Sequence, residues 1–283
     1  MSSTRSSARR AAACASLALL GLPGLASAEV SSSAIIQNFH VDVLDLTPTD
    51  ASAAGYSFTN TDTWATASLV PDGVSPLVMS GQDREHGWFG AAVNRWEQGA
   101  LYSKAASLNG ALSASGRLAD DSLGYYAANT GSFASWGGGT GLSSGLNVAP
   151  HTQLTLFADY RLDATIDHAC LQPPSIGSIC GVAQAGVYAD GIGALPQGDP
   201  MGDNLDMRSE GGSAGSVSKS GTIGLTITND SDEWKSQDVR FIATVLGQQG
   251  QAVAVVPEPA AGALMGMGLL VLGLAGRRRK PAR

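Results

Sequence analysis

From His151 to Asp167 the chain reads HTQLTLFADYRLDATID. Leu154, Leu156, Ala158, Tyr160, Leu162, Ala164 and Ile166 alternate there with Thr155, Phe157, Asp159, Arg161, Asp163 and Thr165. A period of two places alternate side chains on opposite faces of a pleated strand, so this run predicts a long antiparallel strand with one buried face. The same period returns at Ile223, Leu225 and Ile227, and again at Val239, Phe241, Ala243 and Val245. Near the start, Phe39, Val41 and Val43 alternate before Leu44 and Leu46 change face, which predicts a bulge at Val43–Leu44. Turn residues separate these runs, at VPDG (Val70 to Gly73) and at SWGGGTG (Ser135 to Gly141). Asp199 to Gly215 reads as a long loop. No amphipathic helix of useful length interrupts the pattern. The expectation for residues 29–255 is one all-β domain of about ten strands, an antiparallel, jelly-roll-like sandwich.

The two ends follow a different pattern. Ala260 to Gly276 is a run of 17 residues without a charge, a proline or a strongly polar side chain. As a helix it would cover roughly 26 Å, the short end of a membrane span. Arg277, Arg278, Arg279 and Lys280 follow at once, and cations beside a span stay on the cytoplasmic side. Five glycines in the run make the helix marginal, which suits a temporary anchor. Pro257-Glu258-Pro259 stands just before it, where two prolines keep the main chain extended and accessible. This order of parts resembles the PEP-CTERM sorting domain of Gram-negative bacteria. The resemblance covers residues 256–283. It implies a transmembrane helix at 260–276, a basic tail at 277–283, and processing by an exosortase, a membrane-embedded transpeptidase-like enzyme. It also implies an exported protein of a species that makes extracellular polysaccharide.

The N-terminus fits export. Arg5, Arg9 and Arg10 form a positive region, Ala11 to Leu22 an apolar one, and Ala26-Ser27-Ala28 an A-x-A site. Residues 1–28 therefore read as a signal peptide cut by signal peptidase, with Glu29 the first mature residue. A twin-arginine reading of Arg9-Arg10 lacks the usual apolar bulk behind it, and Cys14 precedes the apolar stretch instead of ending it as a lipoprotein cysteine would.

Setting the signals apart changes the charge. All 24 acidic residues lie between Glu29 and Glu258, against 9 basic residues in the same stretch, a net charge of −15. Phosphate backbones need clustered cations, so nucleic acid is excluded as a partner, whereas neutral sugars and divalent cations stay open. Cys170 and Cys180 remain in the exported part, and in an oxidising compartment a pair reads as a disulfide. The rival, a metal site with His168, lacks standard ligand spacing.

Candidate chemistry is sparse. Gly141-Leu142-Ser143-Ser144-Gly145 matches G-x-S-x-G but sits in a Gly/Ser/Thr tract where the match carries no strand–helix context. His40, His86, His151 and His168 are scattered singly, as surface or strand-edge residues. Asp199, Asp203 and Asp206 could offer oxygens to calcium, although aspartate is also simply common in turns. Trp88, Phe89, Trp96 and Tyr102 form one aromatic cluster, readable as core or as a sugar-stacking platform. No catalytic constellation emerges. The expectation is a non-enzymatic structural or binding protein of the envelope or its extracellular polysaccharide matrix, held transiently in the membrane by the C-terminal helix. The alternative is a carbohydrate-binding module, or a hydrolase or lyase acting on polysaccharide.

Overall fold

The computed structural model describes residues 29–50, 52–70, 79–119, 124–134, 145–167, 181–193, 195–196, 201–208 and 214–249. Both terminal signals, Cys170, Cys180, His168 and Asp199 lie outside them, as do residues 141–144 of the G-x-S-x-G match.

The described chain is all strand and turn. Its elements are β1 (Glu29–Asp45), β2 (Tyr56–Thr59), β3 (Thr61–Val70), β4 (Met79–His86), β5 (Ala92–Gln98), β6 (Leu101–Leu108) and β7 (Ala111–Ala119). There follow β8 (Gly124–Ala134), β9 (Gly145–Val148), β10 (Thr152–Ile166), β11 (Gly181–Gly193), β12 (Met201–Arg208), β13 (Gly215–Asn229) and β14 (Lys235–Gln249). All pairings are antiparallel. One sheet has the order β13-β10-β1-β7-β6-β5, the other β12-β11-β14-β8-β3-β4, with β9 joining β14 and carrying β2.

The sheets face each other, and their inward side chains make one core. From the first sheet come Ile36, Leu112, Leu118 and the alternating β10 set Leu154 to Ile166; from the second come Leu69, Tyr126, Val187 and the β14 set Val239 to Val245. The three runs of period two thus lie in strands, as the pattern predicts: along β10, in the C-terminal half of β13 and at the centre of β14. Tyr126 is the largest wholly buried side chain among the described residues, and two glycines make room for it. A methyl group on Gly116 of the facing sheet, or on Gly247 of the neighbouring strand, would fall inside the space its ring occupies. Its hydroxyl meets Ser32 Oγ at 2.6 Å, so the buried polar atom is satisfied across the sheets.

Two expectations need correction. The irregularity in β1 lies at Asn38–Phe39, where the register with β10 shifts between Gln37 and His40 and Asn38 has φ 56°. Before it Val30, Ser32, Ala34 and Ile36 face the core; after it Phe39 and Val41 do, while Val43, Leu44 and Leu46 are exposed near the strand's end. Asparagine tolerates the left-handed conformation a bulge requires, and that local chemistry outweighs the hydrophobic change of face farther on. Within Asp199 to Gly215, residues 201–208 form β12 instead of loop, paired with β11 from Val182↔Arg208 to Ala189↔Met201. Leu205 and Met207 pack against the core and anchor the strand.

Candidate functional site

The strand order of the second sheet brings polar and aromatic side chains from five strands onto its outward face. Read straight across β11, β14, β8, β3 and β4, one row of opposed residues is Asp190, Arg240, Phe133, Asp62 and His86. The next row is Tyr188, Ile242, Gly131, Trp64 and Arg84, and a third is Gly186, Thr244, Asn129, Thr66 and Gln82. Opposed and diagonal neighbours on one sheet face are close enough for aromatic and long side chains to touch.

They do touch. The six-membered ring of Trp64 lies over Gly131, in space that any larger residue would fill. Its Nε1–H donates to Asn129 Oδ1 at 2.9 Å, and Phe133 meets it edge-on with centroids 5.4 Å apart. Arg84 places its guanidinium 5.6 Å from the Phe133 centroid while pairing with Asp62. His86 Nδ1 lies 2.6 Å from the other Asp62 oxygen. Asp62 is therefore almost fully covered although it stands on the outward face, and the Arg84 hydrogen bond holds its carboxyl below the ordinary value. At the far end Arg240 holds both oxygens of Asp190 in a bidentate pair, which raises its own already high pKa.

Between these groups is an open depression of about 390 Å³, lined by Trp64, Gln82, Arg84, Phe133, Asp190 and Arg240, with Asp238 beside them. Its guanidinium charges are met by carboxylates, so it presents an aromatic surface framed by planar, hydrogen-bonding groups with little local net charge. Such a surface can hold a polyhydroxylated ring, with apolar CH groups against the indole and hydroxyls on the frame.

The residues singled out in the sequence lie elsewhere. Trp88 stacks on Phe58 at 4.5 Å and 15°, and Phe39, Phe89 and Phe241 surround the pair, so this cluster closes one end of the core. Trp96 also packs on the core, and Tyr102 is half-buried. Asp203 and Asp206 stand on opposite faces of β12. Asp203 faces inward at the sandwich edge, taken up by Tyr160 and Lys219, and the bond from its hydroxyl to that carboxylate pushes the Tyr160 phenol up to about 12. Asp206 pairs with Arg208. Among the described residues no group of three His, Cys, Asp or Glu could hold a metal ion. His40 is largely exposed, and His151 bonds Asp232 at 2.9 Å.

Trp64, Arg84, Phe133, Asp190 and Arg240 carried no signal in the linear sequence. They are spread over more than 170 positions and meet only through strand order. The period-two phase of each strand was the one available clue, since it assigns them all to outward positions.

Comparison with known proteins bears on the C-terminus alone. Residues 255–280 match the PEP-CTERM protein-sorting motif. No curated protein matches the chain. Among solved structures, the chain is matched to an oxalate decarboxylase of Bacillus subtilis with Mn(II) centers, at 9% identity, over 81% of this chain and 80% of that one. The TM-score is 0.10, which carries no argument about fold or function.

Proposed function

From the premise that residues 255–280 are a PEP-CTERM sorting motif, we propose that this is a non-enzymatic exported protein whose sandwich grips extracellular polysaccharide. Residues 1–28 direct export and are removed after Ala28. The helix at 260–276 holds the chain in the membrane until exosortase acts at Pro257-Glu258-Pro259, with Arg277, Arg278, Arg279 and Lys280 inside. The body then stays with the envelope or its polysaccharide matrix. The observation that carries the binding role is the Trp64–Phe133–Arg84 surface on the open face of the second sheet. Its balanced charges, on a body with a net charge of −15, favour a neutral glycan over a polyanion. The non-enzymatic reading is supported by Asp190, whose two oxygens are engaged by Arg240 and so are poorly placed to act as acid or nucleophile. Neither cofactor nor calcium enters the proposal, and a Cys170–Cys180 disulfide closes the segment before β11.

The test is a titration of the mature exported protein with exopolysaccharide from its own host. Wild type should bind, and Trp64→Ala should bind at least about tenfold more weakly with an unchanged circular dichroism spectrum, a loss of about 1.4 kcal/mol. Equal affinity in the variant would move the site elsewhere, and release of reducing ends would make the protein an enzyme.

A further inference from the structure

Among the described residues β13 pairs only with β10, and its outer edge can be read from one hydrogen bond. The Thr228 N–H donates to Pro196 O at 3.1 Å, so it points away from β10. In an antiparallel strand the N–H and C=O of one residue point the same way, and the direction alternates. Ser216, Ser218, Ser220, Thr222, Gly224 and Thr226 therefore point both groups away from β10; Ser216 to Thr222 are exposed, Gly224 is buried, and Pro196 covers the far end.

Sheet edges are usually blunted by shortness, charge, proline or a bulge. The other edge strands here follow that rule. β5 is 7 residues long and carries Arg95 and Glu97. β4 carries Asp83, Arg84 and Glu85, and β12 carries Asp203, Asp206 and Arg208. β13 does not follow it. It is 15 residues long, has no proline, and keeps an unbroken register with β10 from Ile166↔Gly215 to Thr152↔Asn229. Its single charged side chain, Lys219, is committed to Asp203.

We propose that this edge pairs antiparallel with β13 of a second copy of the chain, joining the two six-stranded sheets about a two-fold axis. Self-pairing centred on Ser220 sets Lys219 opposite Gly221 and Val217, an exposed apolar residue, opposite Ile223, so no like charges meet. A strongly charged foreign strand would find one engaged cation and nothing else to read. A two-fold contact uses the same patch twice, which a self-complementary polar edge satisfies without further design. The two bodies also repel, each with a net charge of −15, and salt screens that repulsion. Pairing therefore strengthens as ionic strength rises, opposite to an interface built on ion pairs.

Sedimentation of the mature protein at low and high salt tests this. Wild type should form a dimer, and its dissociation constant should fall about tenfold or more with added salt. Ser220→Pro removes an outward N–H that β10 does not use, and Ser220→Lys places two cations together on the axis. Both variants should sediment as monomers with unchanged circular dichroism, and if Ser220→Pro does not fold, Ser220→Lys decides alone. A wild type that stays monomeric at about 100 µM and about 0.5 M salt would overturn the proposal, as would a folded variant that dimerises like wild type.

Discussion

Gly116 and Gly247 show how much of this core depends on a missing methyl group. Tyr126 fills the space above both, and its ring cannot move aside without breaking its contact with Ser32. Gly116→Ala should therefore destabilise the protein by about 1–3 kcal/mol, lowering the thermal midpoint by about 2–4 °C per kcal/mol in calorimetry. Asp62 sets a pH dependence at the same scale. Arg84 and then His86 hydrogen-bond its charged form, so its folded pKa lies below the ordinary 3.8. A depressed carboxylate contributes stability above its unfolded pKa and loses it as pH falls through the folded value. The midpoint of wild type should therefore drop steeply below about pH 4, and Asp62→Asn should be less stable at neutral pH with a shallower acid limb. Neither residue stood out in the sequence. A glycine in a Gly-rich chain is silent until the ring above it is known, and an aspartate at an outward strand position looks solvated until its partners arrive from the next strand.

The strands differ in how openly the sequence declared them, for a physical reason. β10 and β14 sit between two neighbours in their sheets and bury a full face, so selection for apolar residues at every second position is uninterrupted. β12 obeys the same alternation, but Asp203 occupies an inward position at the sandwich edge, where Tyr160 and Lys219 satisfy it. Its polar composition read as loop. Short strands such as β2 and β9, four residues each, carry too few positions for any period, which is why about ten strands were expected and fourteen are described. Turn chemistry is local to each hairpin. Asn109-Gly110 joins β6 to β7 with φ 54° and 76°, the type I′ pattern. Gly110→Val forces a β-branched residue into the left-handed region and should cost about 1–2 kcal/mol, measured by denaturant unfolding. A second junction depends on Asn229, whose buried Nδ2 donates to the carbonyls of Val148, Ala149 and Glu233. Asn229→Ala should destabilise by about 1–3 kcal/mol, since it leaves buried acceptors without donors.

At the scale of the whole molecule, the two kinds of information separate cleanly. The delivery route was legible in the sequence because it depends on linear order: Pro-Glu-Pro, an apolar run, then cations, the order that the PEP-CTERM motif match at residues 255–280 also spans. The binding face was not, because it depends on which strands become neighbours. The account as a whole needs both, a sandwich that presents Trp64 outward and, as proposed, a C-terminal segment that holds the exported body at the membrane until it is cut. Replacing Pro257, Glu258 and Pro259 with alanine should leave the chain anchored and uncut, which membrane fractionation would detect. The most direct test of the route is the mass of the mature protein recovered from cells that carry an exosortase. The predicted mass begins at Glu29, lacks Ala260 to Arg283, and rises by about 2 Da on reduction as a Cys170–Cys180 disulfide opens. Recovery of the wild-type protein with residues 260–283 intact would contradict the account, because the C-terminal segment would then be a permanent anchor.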